Sequence, residues 1–186
     1  HRQPQTASPA VFETAMVPGI TSDPSLVGID PRPAAVVGDL GRGALPRSIA
    51  RFDGLELTDS AAVLRYRSGT TAVREWHEGS IAADGAISVR RHLEVAPSET
   101  PVVFVLGRGP WILDGTTAAH STPAGGKAQH LAANSGALAF SQSGSSLIAT
   151  LAPSRESRRF TIALSVGAPV SPSAIAATPA PPAASP

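Results

Sequence analysis

The 186-residue chain contains no cysteine. That excludes disulfides, thiol nucleophiles, thiolate metal sites and covalent haem attachment through Cys-x-x-Cys-His within it. Aromatic residues amount to only 4%, so a core has to be assembled from Val, Leu, Ile and Ala. Charge is sparse and balanced, with 16% charged residues and a net charge of +1. No field of that size draws nucleic acid or an anionic membrane, and neither is an expected partner. Of the basic residues only Lys127 is a lysine; we read this as GC-rich codon bias in place of an Arg-built recognition surface. Long apolar runs are missing too. None reaches membrane-spanning length, and no signal peptide is visible. The chain opens His1-Arg2-Gln3 without an initiator Met, which reads as a piece of a longer protein.

Signatures of chemistry are equally thin. Ser143 lies in Ser-Gln-Ser-Gly-Ser without the Gly-x-Ser-x-Gly elbow, and Gly125-Gly126-Lys127 lacks the first glycine of a phosphate loop. The glycines Gly38, Gly41 and Gly43 neither follow a strand nor open a dinucleotide-binding unit. His77, His92, His120 and His130 form no HxH, HxxxH or HExxH pattern. Glu75 and Glu78 flank Trp76-His77, a pairing a glycosidase would need, but carboxylates three apart at a hairpin end read as a wet rim. The expectation is no enzyme, no metal and no cofactor.

What is present is period-two alternation between two irregular ends. Residues 1–43 carry Pro4, Pro9, Pro18, Pro24, Pro31 and Pro33, which remove backbone donors and predict an extended lead-in. Phe12, Met16, Val17 and Ile20 are apolar enough to pin part of it. Residues 168–186 are Pro/Ala/Ser-rich, the composition of a semi-rigid linker towards another module. Between them, residues 44–167 read as one domain. Pro46 opens a predicted helical turn over 46–52. Ala61–Arg67 and Thr70–Trp76 flank Ser68-Gly69 as a hairpin. Pairing Arg67 with Thr70 sends Leu64, Tyr66 and Val73 to the core face and Arg65, Arg67 and Arg74 to the wet face. Ala86–Val95 alternates Ile87, Val89, Leu93 and Val95 inward, with Arg91 interrupting. Val102–Leu106 reads as a buried strand, followed or extended by Trp111–Leu113. Leu138–Phe140 pairs with Leu147–Leu151 across Ser143-Gly144, and Phe160–Val166 closes the domain. About eight strands at this spacing predict an all-β fold, an antiparallel β-sandwich with one short helical turn. Asp114–Ser135 shows no clear period and is a functional loop, an insertion or an unread strand, with a weak strand signal around Lys127–Ala132.

The run from Ala44 to Trp76 carries a resemblance. Leu45, Pro46, Arg47, Ala50, Phe52, Gly54 and Leu55, then Val63, Leu64, Tyr66, Gly69 and Thr70 or Thr71, are similar to a P-L-P-R-x-W-A-x-Y-x-G-L segment and a V-x-L-S-Y-x-V-G-x-T strand. Both belong to an uncharacterised β-rich domain of large exported bacterial proteins. Phe12–Gly19, Asp30–Pro33 and Arg91–Val95 extend the likeness over residues 11–106, while Ile49 stands where that family has Trp. The family's earlier N-terminal strands are missing, which would leave a sheet edge unpaired. The resemblance implies an accessory module of a periplasmic or extracellular parent that also carries PQQ-dehydrogenase-like or c-type-cytochrome modules. Its partners would be neighbouring domains of the same polypeptide. The alternative is a carbohydrate-binding module taking polysaccharide, with Trp76, His77 and Trp111 as ligand residues beneath the 114–135 loop.

Overall fold

The computed structural model describes residues 19–32, 45–83, 85–121 and 127–183. The lead-in anchors Phe12, Met16 and Val17, the upstream Phe12–Pro18 match and the glycine loops at 38–43 and 125–126 lie outside them. Among the described residues twelve strands run in chain order: β1 (Ile20–Thr21), β2 (Ala50–Leu57), β3 (Ala62–Ser68), β4 (Thr71–Ile81), β5 (Ile87–Val95), β6 (Val102–Arg108), β7 (Ile112–Leu113), β8 (Ala118–Ser121), β9 (Gln129–Ala133), β10 (Leu138–Ser143), β11 (Ser146–Leu151) and β12 (Arg158–Val166). Two antiparallel sheets face each other, one of four strands in the order β1-β6-β11-β10 and one of eight in the order β2-β3-β4-β5-β12-β9-β8-β7.

Alternation builds the core. Val73, Leu93, Val95, Phe160 and Ile162 point from the large sheet onto Val102, Phe104, Leu147, Ala149 and Leu151 of the small one. Phe104 and Phe160 meet edge to face at 5.6 Å between centroids and 79° between planes, the arrangement their ring quadrupoles favour. Full burial of each such side chain contributes roughly 2–3 kcal/mol. This is the predicted all-β sandwich.

Several details differ from expectation. The helical turn ends early: the Ile49 and Ala50 amides both donate to Pro46 O, and Ala50 already pairs with Ser68. Phe52 therefore lies in a strand, opposite Tyr66. The first hairpin turns at Gly69-Thr70, so that Ser68 pairs with Thr71 and Tyr66 with Val73. Gly69 has φ +58, which a two-residue turn of this kind demands at its first central position. Gly144, with φ +57, repeats the geometry between Ser143 and Ser146. Moving the pairing by two residues leaves every side chain on its predicted face.

The aperiodic 114–135 stretch holds two short strands, β8 and β9, which extend the large sheet. The lead-in contributes β1, which pairs with β6. The Pro/Ala-rich end folds back: Ile175 is buried against Ala132 and Ala163 on the outer face of the large sheet. There the Asn134 amide donates to Ala176 O at 2.8 Å and Thr178 Oγ1 lies 2.9 Å from Thr161 Oγ1. Over these residues the tail lies along the sheet as a strap. No helix among the described residues is long and apolar enough to cross a membrane.

Candidate functional site

The inward face of β3–β5 continues past the hydrophobic core into a polar cluster. Along β4, Val73, Glu75 and His77 share that face, and the register sets Leu93 opposite Glu75 and Arg91 opposite His77. On the other side Tyr66 pairs with Val73, one step along from Glu75. These placements converge four donors on one carboxylate. Tyr66 Oη donates to Glu75 Oε2 at 2.6 Å. Arg91 donates through Nε to Oε1 at 2.9 Å and through Nη2 to Oε2 at 3.1 Å, a forked pair. His77 Nε2 lies 2.8 Å from Oε1.

Glu75 is only 5% exposed. Burial by itself would push its carboxyl up. The hydrogen bond from His77 and the Arg91 guanidinium, with Tyr66, outweigh burial and hold it well below the usual carboxylate range. Burial and the Glu75 charge in turn push the Tyr66 phenol far above its ordinary value. Glu75 is thus ionised and saturated with donors, and the Tyr66 proton is committed to it. Neither the Glu75 carboxylate nor the Tyr66 phenol is poised to exchange a proton near neutrality. Chemically it is a charge anchored by its own sheet.

The three residues expected as a ligand platform are not brought together. Trp76 is on the wet-face phase of β4, opposite to His77, yet is 3% exposed because His92 stacks on it at 5.6 Å. Trp111 is 6% exposed inside the core cluster. There a Cβ added to Gly107 would lie 3.0 Å from its ring, so the glycine makes room for the indole. Gln142 Nε2 donates to Trp111 O. Neither indole presents an open face for a pyranose, and only His77, at 42% side-chain exposure, reaches solvent. His120 and His130 are cross-strand neighbours with rings 6.1 Å apart, and Asp114 lies 2.6 Å from His120 Nδ1. Among the described residues no group of three or more His, Asp or Glu side chains is disposed to hold a metal.

A different surface went unread in the sequence. On edge strand β2, Phe52, Leu55 and Leu57 are 65%, 51% and 67% exposed. They share the inward face of the large sheet because a bulge at Asp53-Gly54 shifts the register between Phe52 and Gly54. Without that extra residue Phe52 and Leu55 would lie on opposite faces. The signal was there, as a Phe-x-x-Leu-x-Leu pattern broken by Asp-Gly, but the predicted helical turn over 46–52 masked it. No protein-family model, curated protein or solved structure matches the chain.

Proposed function

We propose that this chain is a non-catalytic β-sandwich module that joins parts of a larger exported protein and docks through the open edge of its large sheet. The observation that carries the reading is the exposed apolar row Phe52, Leu55 and Leu57 on β2, a strand with no partner on its outer side among the described residues. Soluble domains normally blunt or cover such an edge. The saturated Glu75 cluster supports the non-catalytic half, since its carboxylate has no lone pair left for a substrate. The exported parent with redox modules elsewhere rests on the resemblance of the Ala44–Trp76 run.

A photo-reactive residue at Leu55 of the full-length parent tests the reading. We expect cross-links from Leu55 to another module or another chain, and none above background from the exposed position Glu156. Equal yields from the two positions would overturn docking at β2. A reading frame encoding only this domain would overturn the multidomain parent.

A further inference from the structure

We infer that the partner of β2 is a second copy of this chain, added antiparallel about a two-fold axis through the Asp53-Gly54 bulge. The inference rests on the docking reading and names its partner.

Backbone geometry comes first. The Gly69 amide donates to Ile49 O and the Thr58 amide to Ala61 O. In an antiparallel ladder the paired groups alternate, so these two bonds fix the phase at both ends of β2. Arg51 and Glu56 turn their backbone groups towards β3, at Arg67 and Val63. Ala50, Phe52, Leu55 and Leu57 turn theirs to the open edge. The bulge keeps this phase consistent on both sides of itself, because Asp53 and Gly54 together face Arg65.

The sequence of β2, Ala-Arg-Phe-Asp-Gly-Leu-Glu-Leu, is a palindrome in character about that bulge. Pairing it with itself in reverse sets Phe52 against Leu55 of the second copy and Ala50 against Leu57. In both pairs the outward backbone groups of one copy meet those of the other. On the opposite face the same register sets Arg51 against Glu56 of the second copy, twice by symmetry. Faces, hydrogen-bond phase and charge agree in this single register. Sliding the copies by two positions one way opposes Asp53 to Glu56; sliding the other way leaves Leu57 without a partner and shortens the ladder. Edges protected against self-pairing carry charge that repels its own image, whereas the charges β2 sets across the seam are opposite in sign, with Arg51 held by Asp53 and Glu56 by Arg65 and Arg74 of the same chain. The two large sheets would become one continuous sheet, with the exposed apolar rows of the copies side by side across the seam.

Sedimentation and light scattering on the full chain read the mass directly, and we expect twice 18.9 kDa. Leu55→Lys should halve that mass. Leu55→Pro should halve it too, since the amide it removes points away from β3, and circular dichroism establishes that both variants remain folded. Because the chain has no cysteine, register is read by mixing an Arg51→Cys chain with a Glu56→Cys chain. These positions face each other as a close, non-hydrogen-bonded pair suited to a disulfide, so the mixed 51–56 disulfide should predominate over 51–51 and 56–56. A monomer at all concentrations, a dimer indifferent to Leu55→Lys, or a predominant 51–51 disulfide would each overturn the proposal. A monomer that still cross-links from Leu55 to a different module sinks the self-pairing and leaves docking intact. A monomer without such cross-links sinks both.

Discussion

Glu75 occupies an inward position between Val73 and the end of the core, where an isolated carboxylate would cost several kcal/mol to bury. It is tolerated because Arg91, Tyr66 and His77 complete its hydrogen bonding. Removing the charge alone should therefore be worse than removing the pair. Glu75→Gln leaves the Arg91 fork facing an amide and is expected to lower stability by about 3 kcal/mol, the low end for a broken buried pair because Arg91 keeps some solvent. Glu75→Leu combined with Arg91→Met should recover most of that loss in a urea titration. A double variant no better than the single one would show that the cluster has a role beyond packing. Half of this site was legible in the sequence. The inward phase of Tyr66 and the interruption of an apolar alternation by Arg91 were both visible. Their meeting was not, because Tyr66, Glu75 and Arg91 are brought together only by the register of three strands, and the spacing of Glu75 and Glu78 alone points to a wet rim.

At the scale of elements, period-two patterning located the strands well wherever one face is buried, as in β5, β6 and β12. It failed where the pattern is broken by design or too short to show. The bulge in β2 breaks the alternation, β1 spans two residues, and β8 is built from Ala, His and Ser; β7 and β9 show in the sequence only as the Trp111–Leu113 extension and a weak strand over Lys127–Ala132. At the C-terminal end composition describes the segment without showing what it touches. Pro and Ala there suggest a semi-rigid linker, and a chain that cannot form a ladder can still lie across one, anchored by a few apolar side chains. Ile175 is the buried anchor, seated on Ala132 and Ala163, whose small side chains leave room for it, with Val170 packed against the same cluster. Ile175→Ala should cost about 2 kcal/mol, the low end for a buried Ile→Ala change, because the tail can partly collapse onto the sheet. Limited proteolysis should then cut within residues 168–183 in the variant before any cut appears in β12. Cleavage of both at the same rate would show that the tail is not a separately anchored element.

Taken as a whole, the molecule distributes its titrating groups so that acid should loosen the tail before it unfolds the sandwich. His92 is buried under the stacked Trp76, with Nδ1 2.9 Å from Thr161 Oγ1, and Thr161 in turn contacts Thr178 of the tail. Burial holds His92 below the ordinary imidazole value of 6.5, against the opposing pull of Glu78 at 3.5 Å. His130 is lowered in the same direction by burial and then by His120. A group whose folded pKa is depressed contributes stability that is complete above its unfolded value and is lost as pH falls towards the folded one. For the two histidines that loss begins near 6.5. For Glu75, held far below 4.5, it begins only near that value and continues downward. The thermal midpoint should therefore be level between neutrality and the ordinary tyrosine value of 10.0, above which the raised Tyr66 begins to cost stability, fall once as pH drops below 6.5, and fall again below 4.5. Hydrogen exchange followed by mass spectrometry separates the two steps. In the first, amides of Val170–Thr178 should lose protection while those of β5, β6 and β12 keep theirs, because the His92–Thr161–Thr178 chain joins the tail to the sheet and, among the described residues, the apolar cluster between the sheets holds no histidine. His92→Gln should remove most of that early loss. Tail and core protection falling together across 6.5, or an early step unchanged in His92→Gln, would refute this ordering.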